Sequence, residues 1–213
     1  MLLKTFTFNG FSENTYVLTD EATRACVIVD PGCYTVSEQA ELKQYIDENN
    51  LAVAAVLLTH AHIDHVLGCA YVLRTWPGTP LLVHDLDRPT LASVASYAGP
   101  YGFGAYQAAE PTGALTAGEP VRFGETELAV RFTPGHAPGH VVFYHEPSGQ
   151  VIGGDVLFQR SIGRTDLPSG DLKTLLRSIN TELLTLPDAT VVHPGHGPST
   201  TIGAERQGNP YLV

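Results

Sequence analysis

Basic residues are scarce in this chain. Twelve Lys and Arg stand against 22 Asp and Glu, a net charge of −10 with histidine neutral. A surface of that sign repels phosphate backbones, and no Lys/Arg cluster makes a local basic groove, so nucleic acid is not expected as a partner. Long apolar runs are missing as well: none approaches the ~20 residues that span a bilayer. The N-terminus MLLKTFTFNGF has no basic segment leading into a long apolar one, so neither a membrane partner nor a signal peptide is expected. The few cysteines, Cys26, Cys33 and Cys69, are odd in number and irregularly spaced. That argues against a disulfide framework and fits small buried apolar side chains in a reducing cytoplasm.

Apolar residues make up 43% of the 213, and charged residues only 16%. Such a chain can build a sizeable core, and 1–213 reads as a single domain. Short β-branched runs read as strands: Thr15–Thr19, Ala25–Asp30, Val53–Thr59, Leu81–His84, Val121–Phe123, Leu128–Thr133, Val141–His145 and Thr190–His193. Gly124-Glu125 marks a hairpin turn.

Helical patterns lie between the runs. Thr35-x-x-Glu38 is a capping-box signature ahead of Leu42, Tyr45 and Ile46. Asp171 caps a second helix with an apolar stripe of Leu172, Leu175, Leu176, Ile179 and Leu183. A third is expected to start near Asp64–Val66 and run toward Thr75. Alternating strands and helices indicate an α/β fold. The stretch Ser93–Gly118 is rich in Gly, Ala and Pro and carries Tyr97, Tyr101, Phe103 and Tyr106. It reads as a lid or pocket wall, or else as a surface excursion or subunit contact. The sequence does not give the oligomeric state.

Nine histidines cluster with small residues and carboxylates at turns. The central motif, Thr59-His60-Ala61-His62-Ile63-Asp64-His65, follows the apolar run Val53–Leu58. Residues i and i+2 of an extended chain point to one side, so His60 and His62 can grip one ion together. On a helix they would be about 200° apart. Asp64 and His65, past the turn, can address a second point nearby. Imidazole suits zinc, iron and similar ions, and a carboxylate compensates charge. Three further segments each place one potential ligand just after a strand: Thr133-Pro134-Gly135-His136, Gly153-Gly154-Asp155 and Pro194-Gly195-His196-Gly197.

The ordered set HxHxDH, TPGH, GGD and PGHG resembles the metallo-β-lactamase superfamily. Asn14-Thr15-Tyr16, Asp30-Pro31-Gly32 and the tail Thr200–Leu212 match its pattern too. The resemblance implies an αββα sandwich with two divalent metal ions at one edge, zinc first, with iron or manganese as alternatives. His60, His62 and His136 would hold one ion, and Asp64, His65 and His196 the other, with Asp155 bridging. His140 is expected to support a ligand by a hydrogen bond. Asp30 reads as a loop-anchoring carboxylate or a plain turn residue. His84, His145 and His193 have no ligand role in the pattern.

GDVLF at Gly154–Phe158, SIGRTD at Ser161–Asp166 and TPGHAPGH look like the glyoxalase II-like branch. The reaction implied is hydrolysis of a small-molecule thioester by a metal-bridging hydroxide, with Asp64 managing the proton. Arg164 would meet a substrate carboxylate or form a buried pair with Asp166. The chain runs only 17 residues past His196, without the helical extension that supplies glutathione contacts in full-length glyoxalase II, so glutathione specificity does not carry over. Persulfide dioxygenases share the fold, the HxHxDH motif and a GRTD segment. They would use one iron on His60, His136 and Asp155, but that family commonly has Cys where His140 stands.

Overall fold

Side-chain alternation along the strands dictates the layering. The computed structural model describes residues 1–212. Its first sheet places β1 (Leu2–Phe8), β2 (Glu13–Thr19), β3 (Ala25–Val29), β4 (Ala52–Leu57), β5 (Leu81–Val83) and β6 (Gly113–Ala114) side by side in chain order. The second sheet starts with β7 (Val121–Phe123), β8 (Thr126–Phe132), β9 (Val141–His145) and β10 (Gln150–Gly154). A separate hairpin, β11 (Leu157–Phe158) and β12 (Ser161–Ile162), follows. The second sheet is then completed beside β10 by β13 (Val191–Pro194) and β14 (Thr200–Thr201).

In β2, Tyr16 and Leu18 face the space between the sheets while Val17 faces outward; in β3, Val27 and Val29 alternate in the same way with Cys26 and Ile28. Across the gap, Val141 and Phe143 point inward and Val142 and Tyr144 outward. Each sheet is therefore apolar on both faces, and each outer face is covered by helices. α1 (Val36–Glu48), α3 (Cys69–Thr75) and α4 (Arg88–Tyr97) pack on the first sheet through Leu42, Ile46, Val72, Leu91 and Val94. α5 (Leu172–Ser178) and α6 (Ile202–Gly208) pack on the second through Leu175 and Ile202. The short α2 (Ile63–Val66) carries part of the ligand motif. The result is the αββα sandwich the resemblance implied. No helix among the described residues is long and apolar enough to cross a membrane.

Several expectations need correction. β1 was not anticipated, although Phe6 and Phe8 alternate into the core. The helix expected from Asp64 to Thr75 is two helices, parted at Gly68, whose amide is drawn to Pro31 and where a Cβ would lie 2.5 Å from Cys33 Sγ and 2.8 Å from Pro31 O. The backbones of that glycine and Pro31 are tied directly by a 2.7 Å hydrogen bond. Leu172, placed on an apolar stripe, is exposed. The stretch 93–118 is not one loop. Ser93–Tyr97 completes α4, Gly113 and Ala114 pair with β5, and Phe103 is buried in the outer core.

Candidate metal centre

All seven ligand candidates emerge at one edge of the sandwich. His60 and His62 follow β4, Asp64 and His65 lie on α2, His136 follows β8, Asp155 follows β10 and His196 follows β13. The ligand atoms of His60, His62 and His136 lie within 4.8 Å of one another, and so do those of Asp64, His65 and His196. Asp155 stands between the two groups. Its Oδ1 is 3.6 Å from His65 Nε2, and its Oδ2 is 3.5 Å from both His136 Nε2 and His196 Nε2.

Three candidate ligand atoms are buried with no hydrogen-bond partner: His60 Nε2, His65 Nε2 and Asp155 Oδ1. Unsatisfied buried polar atoms are expensive, at about 1–3 kcal/mol each, and rare without a reason. A cation shared by convergent nitrogens and a carboxylate supplies one, so the residues fit a metal.

The opposite ring nitrogens are already fixed. His60 Nδ1 meets Thr59 Oγ1 at 3.1 Å, His65 Nδ1 meets Asp30 Oδ2 at 3.1 Å, His136 Nδ1 meets the Arg164 carbonyl at 2.7 Å, and His196 Nδ1 meets the Phe11 carbonyl at 3.1 Å. Such contacts set ring orientation and ligand basicity. Asp30 also approaches His60 and His65 closely enough to count as a ligand. Its oxygens are taken, however: Thr59 N donates to Oδ1 at 2.7 Å and the Thr59 hydroxyl to Oδ2 at 2.5 Å. Asp30 is an anchor for the motif.

Burial pushes His60 well below the usual imidazole range, and His62 down to about 4, with neighbouring imidazoles adding to the effect. The neutral ring is the form that ligates. Burial works the same way on His65, but the Asp64 and Asp155 carboxylates outweigh it and raise this histidine. Asp155 is held well below the usual carboxylate range: burial opposes ionisation, and His65 overrides it.

Three supports were not foreseen. Asp87 is fully buried and accepts from Ala61 N at 2.8 Å and Gly139 N at 2.7 Å. It staples the His60–His62 turn to the His136–His140 turn. Asn14 Nδ2 and the Tyr16 hydroxyl both donate to the Pro194 carbonyl, at 3.1 and 2.6 Å, and fix the turn that carries His196. Glu13 is buried beside His65, with Oε1 3.9 Å from Nδ1. A capping-type Asp before Arg88-Pro89 was the available signal for Asp87, but nothing local reveals partners 26 and 52 residues away.

The remaining histidines fall outside the centre. His84 stacks on Phe132 at 4.6 Å, His145 bonds Ser148, and His193 bonds Ser199 and Gln150. His140 lies directly behind it: Nδ1 meets Thr133 Oγ1 at 3.0 Å, and Nε2 accepts from Asp155 N at 3.0 Å. Arg164 pairs with Asp166 through two 2.7 Å bonds, but the pair is exposed rather than buried.

The family model described as the metallo-beta-lactamase superfamily matches residues 8–196. A hydroxyacylglutathione hydrolase from Haemophilus influenzae, GloC, is 37% identical over 95% of this chain and 94% of its own length. Among solved structures, the BLEG-1 B3 metallo-beta-lactamase is 36% identical with a TM-score of 0.89, and each chain is covered completely. TTHA1623 in a di-iron-bound form is 38% identical with a TM-score of 0.86, over 98% of this chain and 100% of that one. ETHE1 from Myxococcus xanthus is 27% identical with a TM-score of 0.80, over 99% of this chain and 84% of that one.

Proposed function

The chain belongs to the metallo-β-lactamase superfamily, whose members are mostly metal-dependent hydrolases, and from that premise we propose that it hydrolyses small-molecule thioesters at a two-ion centre. His60, His62 and His136 would hold one divalent ion, and Asp64, His65 and His196 the other, with Asp155 shared. Zinc is the first candidate, and a related protein in di-iron form keeps iron in view. When bound, such a pair supplies Lewis acidity and a water acidic enough to be deprotonated near neutral pH.

The chain's own residues then orient and manage protons. Asp64 is the carboxylate nearest solvent, with Oδ2 3.1 Å from His196 Nε2. Burial opposes its ionisation, but His65 and the His196 hydrogen bond hold its pKa below the usual value. An ionised Asp64 can accept a proton as the carbonyl is attacked and return one to the departing thiolate. The buried walls around His60 and His65 keep bulk water from competing for the ligand atoms.

The observation that carries this reading is the second group, Asp64, His65 and His196, assembled around a shared Asp155. A one-iron dioxygenase would need only His60, His136 and Asp155. The 37% identity to a hydroxyacylglutathione hydrolase supports thioester chemistry. The test offers S-lactoylglutathione and glutathione persulfide in parallel to metal-replete protein, with an oxygen electrode and elemental analysis. Thioester cleavage under strict anaerobiosis with two ions per chain is expected. Persulfide-dependent oxygen uptake with one ion and no thioester cleavage would replace the hydrolase with the dioxygenase.

A further inference from the structure

Two of the few large apolar side chains left exposed, Phe11 (43%) and Tyr101 (56%), face each other with ring centroids 6.4 Å apart. A scattered exposed aromatic is ordinary, but a contiguous pair needs a reason. This pair is tied to the metal centre. The Phe11 carbonyl binds His196 Nδ1 at 3.1 Å. Its turn is pinned by Asn9, whose Oδ1 accepts from Phe11 N at 2.9 Å and whose Nδ2 donates to the Asp64 and Gly32 carbonyls at 3.0 and 3.1 Å. Phe11 is thus held beside two of the candidate ligands.

The patch has a rigid backing. Phe103 is buried against Phe11 at 5.7 Å and against Tyr34 at 4.9 Å, and Tyr97 meets Tyr101 edge-on at 5.7 Å. The partly buried Phe158 also approaches His196, with its ring 6.4 Å from the imidazole. The exposed Arg164 guanidinium is engaged by two bonds to Asp166. An exposed aromatic surface of this kind favours an uncharged, apolar group.

We propose that Phe11, Tyr101 and Phe158 form a substrate wall that takes an apolar group flanking the thioester. This rests on the thioesterase reading for its chemistry and on the aromatic geometry for its specificity. The apolar group can belong to the acyl side or to the thiol side.

The test uses metal-replete, full-length protein and N-acetylcysteamine thioesters carrying acetyl or hexanoyl groups. A second arm uses acetyl thioesters of ethanethiol and hexanethiol. At least one arm should show a kcat/KM ratio of about tenfold for the longer chain, the gain expected if roughly two of the four added methylenes leave water. The arm that shows it identifies the side. In Phe11→Ala/Tyr101→Ala the ratio should fall to near one, and Phe11→Leu should restore part of it. The single variants, each at an exposed position, serve if the double variant does not fold.

Ratios near one in both arms for the unaltered protein, or a ratio that survives in the variants, would overturn the proposal. Should no thioester be cleaved, calorimetry with methyl and hexyl thioethers of N-acetylcysteamine decides separately. Tighter hexyl binding that the double variant loses upholds the wall while the hydrolase reading fails. Equal affinities refute the wall.

Discussion

Asp87→Ala removes the acceptor of two buried amides, those of Ala61 and Gly139. A hydrogen bond to a charged group contributes about 1.5–3 kcal/mol. Two give a gross loss of about 3–6 kcal/mol. Burial raises the Asp87 pKa despite both amides, so part of that gain already offsets desolvation of the carboxylate. A net loss of about 3 kcal/mol is the expectation, read from urea unfolding of metal-free protein. The loss should reach the ligands unevenly. Ala61 lies between His60 and His62, and Gly139 lies on the turn that carries His136, so the first ion should bind about 10–100-fold more weakly. The second, on Asp64, His65 and His196, should hold its affinity in a chelator competition. Asp87→Asn keeps one acceptor oxygen but turns an amide donor toward the other N–H, so it should lose about 2 kcal/mol. Unfolding within about 0.5 kcal/mol of the unaltered protein, or equal weakening of both ions, would refute the staple.

Asp155→Ala should lower kcat more than His65→Ala at matched metal content, because Asp155 reaches both groups of histidines and His65 belongs to one; equal losses would argue against sharing. Gly154→Ala should destabilise by about 2–4 kcal/mol in denaturant unfolding, since its φ is +47° and a Cβ would lie 2.5 Å from Thr59 Oγ1 and 2.6 Å from His140 Nε2. Asp20 accepts from the Thr23 hydroxyl, the Thr126 hydroxyl and the Thr23 amide, which hold its carboxyl far below the usual range. A depressed acid stabilises the fold above its unfolded value near 3.9 and loses that contribution as pH falls through its folded value. The stability gap between the unaltered protein and Asp20→Asn should therefore shrink on acidification, and a gap constant down through the carboxylate range would count against it.

The sequence showed the ligands better than their supports. His60 and His62 could be paired because strand periodicity is local, and the turns before His136, Asp155 and His196 carry their own glycines and prolines. β1 is not legible because Leu2, Leu3, Lys4 and Thr5 blur its alternation, and only Phe6 and Phe8 are fully buried. The start of α4 was written in Asp87-Arg88-Pro89, a proline in its first turn, but the aromatic residues downstream suggested a loop. Phe103 shows why composition misled: it lines the base of an exposed patch and the outer core at once. Asp87, Asn14 and Tyr16 act through contacts between distant segments, which no local pattern reports.

The division of the ligands between the two sheets has a consequence for synthesis. The first sheet and α2 contribute His60, His62, Asp64 and His65; the second contributes His136, Asp155 and His196. Neither three-residue group can be completed from one half alone. A nascent chain emerging from the ribosome displays an HxHxDH segment early, yet it cannot close the first group until His136 is out, nor the second until His196 follows. On the two-ion reading, neither group would be complete until the two sheets have met. On the same reading an ion would act as a clasp between the halves, and releasing it should loosen the seam between the sheets before either sheet unravels.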